Sequence, residues 1–171
     1  MNRITGLIYV IIILISTFGL SCCKSERSAY NKMDVAENII NSRPDIALAL
    51  LDSIKSKDIT GKRTKARLAL LRSMALDKNY VDTTTFDILQ PAIDYYLKNG
   101  TSNEKLRTYY YQGRIYQNQG NYDAAMLSFM NALEFGPQVR DTLCLANVLV
   151  AQGTILYRNY KFNEFITNNS V

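Results

Sequence analysis

The sequence predicts an all-α fold of about four antiparallel helical hairpins, on three observations. From Ala29 onward apolar residues recur at helical spacing, with no convincing alternation at period two. The chain breakers fall between those runs: Pro44, Gly61, Asn99-Gly100 and Gly120-Asn121 each separate two periodic segments. Within 106–139, Gly113, Ala125 and Ala132 supply the small side chains that let two helix axes approach to about 8–10 Å.

Each element has its own justification. Val35, Ile39 and Ile40 mark a first short helix over about 30–41, ending near Ser42. Pro44 suits a first helical turn, and Ile46, Leu48, Leu50, Leu51 and Ile54 carry a second helix over about 44–55. A polar loop around Gly61 follows, then a third helix over 64–79 rich in Ala, Leu, Arg and Lys, all strong helix formers. The fourth is expected over 84–98, with Pro91 as a kink or as its true start. Asn99-Gly100 ends it, and Thr101 with Glu104 has the spacing of a capping box for a fifth helix reaching Asn118. Gly120 accepts positive φ, Asn121 caps a sixth helix, and Pro137 stops that helix.

The stretch 106–139 carries a sharper register. With Leu106 as the first position, Gly113 is 8, Tyr116 is 11, Gly120 is 15 and Tyr122 is 17; Ala125 is 20, Phe129 is 24, Ala132 is 27 and Pro137 is 32. In these positions it resembles one tetratricopeptide repeat, a helix-turn-helix unit of 34 residues, departing from the pattern at Gln112 and Tyr109. The resemblance implies a solenoid of stacked hairpins that binds partners and performs no catalysis. Downstream, Gly153 follows Gly113 by 40 residues, and Leu156, Tyr160, Phe162 and Phe165 shadow Tyr116, Gly120, Tyr122 and Ala125 as a degenerate unit. Phe162, Phe165 and Ile166 read as the start of another second helix, which Val171 cuts short before any polar cap. The expectation is the N-terminal part of a longer protein.

The N-terminus reads differently. Arg3 precedes an unbroken apolar run over 7–15, and Leu20-Ser21-Cys22-Cys23 follows, the layout of a secretory signal peptide over 1–21. Its ending resembles a lipoprotein lipobox, which implies acylation of Cys22 or Cys23 and anchorage in the bacterial cell envelope, at the outer membrane, facing the periplasm or the exterior. An uncleaved membrane anchor is the alternative, although the run is short for a span of ~20 residues. Residues 22–29 then form a tether, and 30–171 the helical repeat domain.

Composition narrows the function. The 171 residues contain no histidine, removing the commonest general base, triad member and zinc ligand together. No CxxC pair, phosphate-binding glycine loop or EF-hand spacing occurs, so no enzyme activity, cofactor or metal is expected. Cys144, within Leu143-Cys144-Leu145-Ala146, reads as a buried structural thiol. Removal of 1–21 takes Arg3 and lowers the net charge from +5 to +4. An exported protein is not expected to meet nucleic acid.

Three surfaces are candidates for binding. In the repeat family a ligand peptide lies in the concave groove; the matching positions here are Arg107, Tyr110, Arg114, Gln117 and Asn118, followed by Asn147, Val150, Thr154, Tyr157 and Arg158. Arginines there can pair carboxylates of a protein or peptide ligand. Lys55, Lys57, Lys62, Arg63, Lys65, Arg67 and Arg72 crowd one loop and the start of a helix, where positive charge opposes the macrodipole. Such a cluster suits anionic lipid headgroups, polysaccharide or an acidic partner. Tyr95, Tyr96, Tyr109, Tyr110, Tyr111, Tyr116 and Tyr122 suggest an alternative function, a glycan- or nutrient-binding surface lipoprotein. A second alternative is the sensor part of a longer repeat-containing signalling protein.

Overall fold

The computed structural model describes residues 25–168, and side chains as far as Lys161. The expected signal peptide 1–21, Cys22 and Cys23 lie outside the described residues. The described chain is all-α: seven helices and no strand. These are α1 (25–39), α2 (Pro44–Asp52), α3 (Lys62–Lys78), α4 (Gln90–Asn99), α5 (Ser102–Asn118), α6 (Tyr122–Leu133) and α7 (Thr142–Asn168). No helix among the described residues is long and apolar enough to cross a membrane.

α1 begins five residues before the expected domain start, so the tether 22–29 is in part helix. The cause is Ala29, which shares a buried stripe with Met33, Ala36 and Ile40 at spacings of four, three and four. α2 opens on Pro44 in its first turn, and its Ala47 and Leu51 face the same core. α3 is the central helix. Nine of its residues are buried, because α2, α4 and α5 all pack against it.

Two boundaries correct the expectations. Pro91 is the second residue of α4 and marks the true start of that helix, so residues 84–89 are loop and turn. α6 ends at Leu133, four residues before Pro137, which instead opens a short 3-10 turn over Gly136–Gln138. The α5 N-terminus meets its expectation: Thr101 Oγ1 accepts from Glu104 N–H, and the Glu104 carboxylate accepts from Thr101 N–H at 2.8 Å. Gly100 permits the tight α4–α5 corner, since a Cβ there would meet the Tyr96 carbonyl oxygen at 2.6 Å.

α5 and α6 form the most extensive helix contact, across a turn where Gly120 has φ +77° and Asn121 Oδ1 accepts from Ala124 N–H. The space above Gly113 is filled by the Phe129 ring, with Ala125 and Ala132 buried on either side. Tyr116 and Tyr122 are only half-buried; Tyr116 packs edge-on against Phe86 of the preceding loop, 5.0 Å between ring centres.

The largest departure is at the C-terminal end. Residues 142–168 are one helix, where the repeat pattern predicts a helix, a turn and a second helix. Tyr160 stands where α5 is followed by Gly120, and nothing in Asn159-Tyr160-Lys161 breaks the helix. Three hairpins and one long helix therefore replace the expected four hairpins among the described residues. Phe162 and Phe165 continue α7.

Candidate functional site

Alternate helices touch along one side of the molecule: α3 meets α5, and α5 meets α7. Arg107 and Arg114 point from α5 along this side, seven residues or about two helical turns apart, and both are already paired. Arg107 donates from Nε to Asp141 at 2.5 Å and from Nη1 to Glu37 at 2.9 Å. Glu37 also accepts from Arg67 at 2.7 Å, and the same guanidinium reaches Asp34 at 2.7 Å. A continuous chain of five charged groups thus joins α1, α3, α5 and the entry to α7.

Asp141 has a second task there. Its Oδ1 accepts from Cys144 N–H and so caps α7, while its Oδ2 holds Arg107. Asn103 Oδ1 accepts from the backbone N–H groups of Arg140 and Asp141, fixing the approach to that cap. Burial pulls the Glu37 carboxyl upward, but hydrogen bonds and positive charge from Arg67 and Arg107 outweigh it and hold the group below the usual glutamate range.

The other groove candidates on α5 are also engaged, whereas Val150, Thr154 and Tyr157 of α7 are exposed. Arg114 pairs with Asp77 at 2.9 Å and donates to Gln117 Oε1 at 2.6 Å. Asn118 donates to the Thr83 carbonyl and Gln119 to the Thr84 carbonyl, so this end of α5 clasps the loop before α4. Tyr110 is buried, edge-on to Tyr111 and tilted over Phe129, and belongs to the core. A ligand carboxylate would have to displace Asp141, Glu37 or Asp77 to reach either arginine. The cavity beside Arg107, lined in part by Glu37, Lys78, Asp141 and Asn147, measures about 60 Å³, room for a few waters at most.

Sequence reasoning named Val150 and Tyr157 as groove positions but missed the apolar face of α7 to which they belong. Cys144, Val148, Ala151 and Ile155 face the body of the molecule and are buried. Leu149, Val150, Leu156, Tyr157 and Tyr160 are each more than half exposed. They surround Gly153, above which a Cβ would find nothing within 4 Å. The same construction on Gly113 would drive a Cβ to 2.4 Å from Phe129. α7 thus carries an apolar face built around a glycine, as α5 does, with no helix among the described residues laid on it. The 40-residue spacing of the two glycines was the signal.

The basic cluster divides in two. Arg63 pairs with Glu104, Arg67 with Asp34 and Glu37, and Arg72 with Asp52. Lys55, Lys57, Lys62 and Lys65 are exposed and form no ion pair among the described residues.

The tyrosines are largely committed to packing. Tyr96, Tyr110 and Tyr111 are buried, Tyr95 packs on Tyr96, Tyr109 stacks on Phe135, and Arg158 covers Tyr122 while donating to its hydroxyl. Gln112, where the repeat pattern favours leucine, carries a buried Oε1 without a hydrogen-bond partner. Cys144 is buried, and burial pushes its thiol up to about 12. No group of three or more His, Cys, Asp or Glu side chains among the described residues is placed to hold a metal. Comparison of the chain with protein-family models, with curated proteins and with solved structures found no match.

Proposed function

We propose that this chain is a non-enzymatic, tetratricopeptide-like scaffold of the bacterial cell envelope, held by a lipid on Cys22 or Cys23, that binds a protein partner through the open face of α7. The solenoid reading is supported by hairpins following one another in order, with α3–α5 and α5–α7 contacts along one side. The binding reading is carried by one observation: among the described residues nothing covers Gly153 and its apolar surround, while the matching Gly113 is covered by Phe129 of α6.

α6 defines what fits. The ligand is an amphipathic helix that sets a bulky apolar side chain over Gly153, between Leu149, Val150, Leu156 and Tyr157. Those side chains together with Tyr160 leave on the order of 600 Å² open, the upper end for the largest apolar patch of a monomeric protein. The paired arginines of α5 shape the neighbouring surface and are not the anchor. Sugar stacking has little to rest on between Tyr95 and Tyr122, where the rings are buried or packed against neighbours.

The test is capture from envelope extract with three baits of equal melting temperature: the wild type, Leu149→Asp with Leu156→Asp, and Arg107→Ala with Arg114→Ala. A purified partner that binds the first and third with similar Kd and loses the second supports the α7 face. Equal binding to all three refutes it. Concentration-dependent dimerisation, abolished by the same two aspartates, would assign the face to a second copy instead of a partner.

A further inference from the structure

Three of the four exposed lysines, Lys55, Lys57 and Lys62, play no part in partner binding at α7, and their position relative to the start of α1 gives them a use. The loop that carries them is fastened to the first turns of α1. Ser25 Oγ donates to Asp58 at 2.5 Å, the Tyr30 hydroxyl lies 2.6 Å from Thr64 Oγ1, and Lys32 donates to Ser53 Oγ at 2.8 Å. A longer contact, Thr60 to Glu26 at 3.5 Å, lies between them. Residues 53–64 therefore travel with the N-terminal end of α1.

That end has almost no slack. Cys22 and Cys23 precede Ser25 by three and two residues, and an extended chain covers at most ~3.6 Å per residue, so Ser25 sits within roughly 7–11 Å of an acylated cysteine. A lipid on either cysteine brings the loop to the headgroup layer, a separation comparable to the ~8 Å screening length at physiological salt. Lys55, Lys57 and Lys62 are exposed there, Arg27 is exposed on α1, and Lys24 lies between the cysteines and the helix. Glu26 and Asp58 are interspersed with them, and Asp87 and Asp94 line a hollow with Lys62, Lys65 and Lys98, which leaves this end net positive. Helix stability does not account for Lys62 and Arg63, since both sit in the first turn of α3 against its macrodipole.

We infer that Lys55, Lys57 and Lys62 form a membrane contact that meets the anionic phospholipid headgroups of the membrane holding the chain's own acyl group. The inference rests on the lipid-anchor part of the proposed function and is independent of the α7 face. The lipid supplies attachment, and the lysines supply a second point of contact that stops the domain from swivelling about its N-terminus.

The experiment uses the mature chain purified from membranes and reconstituted in vesicles of phosphatidylcholine alone or of phosphatidylcholine with phosphatidylglycerol. Amide hydrogen exchange over residues 53–64 is followed, together with the mass of the mature N-terminus. Each lysine near an anionic surface contributes about fivefold in partition. Exchange in this segment should therefore slow roughly tenfold or more in the phosphatidylglycerol vesicles only. The protection should vanish in high salt and in Lys55→Gln/Lys57→Gln/Lys62→Gln, whose three sites are exposed and leave the fold intact. An acylated N-terminus with identical exchange in both vesicle types overturns this inference and leaves the anchor standing. An N-terminus without acyl groups overturns both.

Discussion

Alanine at Gly113 should destabilise the protein, and alanine at Gly153 should stabilise it, although both glycines lie inside helices and are 40 residues apart in the repeat pattern. In a helix interior, exchanging glycine for alanine gains ~1 kcal/mol from propensity alone. At Gly153 nothing opposes that gain, since a new Cβ meets no atom within 4 Å. At Gly113 the new Cβ would lie 2.4, 2.7 and 2.9 Å from three carbons of Phe129, well inside contact distance. Phe129 is fully buried and tilted against Tyr110, 6.0 Å between ring centres, so its ring has nowhere to retreat. Overpacking of this kind costs about 1–3 kcal/mol, enough to reverse the propensity gain and leave a net loss of ~1–2 kcal/mol. Urea unfolding at constant m gives both values, and the thermal midpoint should fall by about 2–4 °C per kcal/mol for a domain of this size. Phe129→Leu in the Gly113→Ala background should recover part of the loss, with a coupling of about 1 kcal/mol in the double-mutant cycle. Equal stabilisation by the two alanines would refute the assignment of Gly113 to the α5–α6 crossing.

Three further outcomes are expected. Tyr80 ends α3 with φ 58° and is 94 % exposed, so Tyr80→Gly relieves left-handed strain without losing burial and should raise stability by ~0.5–1 kcal/mol in the same urea assay. The Glu37 carboxyl titrates below its unfolded value, so its contribution is full above the ordinary glutamate range of about 4.3 and is lost as pH falls through the lower folded pKa. Urea midpoints measured across acid pH should fall less steeply for Glu37→Gln than for the wild type. Cys144 should resist iodoacetamide at mildly alkaline pH in the native protein and react at once in urea, because the thiolate is the reactive form and burial suppresses it. Prompt labelling of the native thiol would contradict the packing of α7 on α5.

What the sequence revealed was local. The capping box at Thr101 and Glu104, the Gly120-Asn121 turn and the gap at Gly113 each depend on residues within about one helical hairpin, and their spacing alone announces them. The start of α1 was less visible, because Ala29 gives a weak apolar signal and its burial comes from the surrounding core. Pro91 fits both a kink and a first turn, and only the loop 81–89, clasped by Asn118 and Gln119, selects the second. The groove reading failed to foresee pairing for a related reason. Arg107 finds Glu37 seventy residues earlier in the chain, and no local pattern encodes that meeting. The continuity of α7 was hidden by its partial likeness to the repeat, in which Tyr160 takes the place of a turn glycine.

The Arg107–Glu37 bridge also alters how the protein should come apart. In an ideal stack of hairpins each unit touches only its neighbours, so stability sums along the line and ends can fray independently. Here a guanidinium in the third hairpin binds a carboxylate in the first, and the same guanidinium holds the cap of α7. Fraying of α1 would strip Arg107 of one carboxylate, and fraying of α7 would strip it of the other. The first and last helices of the described chain are thus tied to a single side chain in α5, which couples the fraying of one to the fraying of the other.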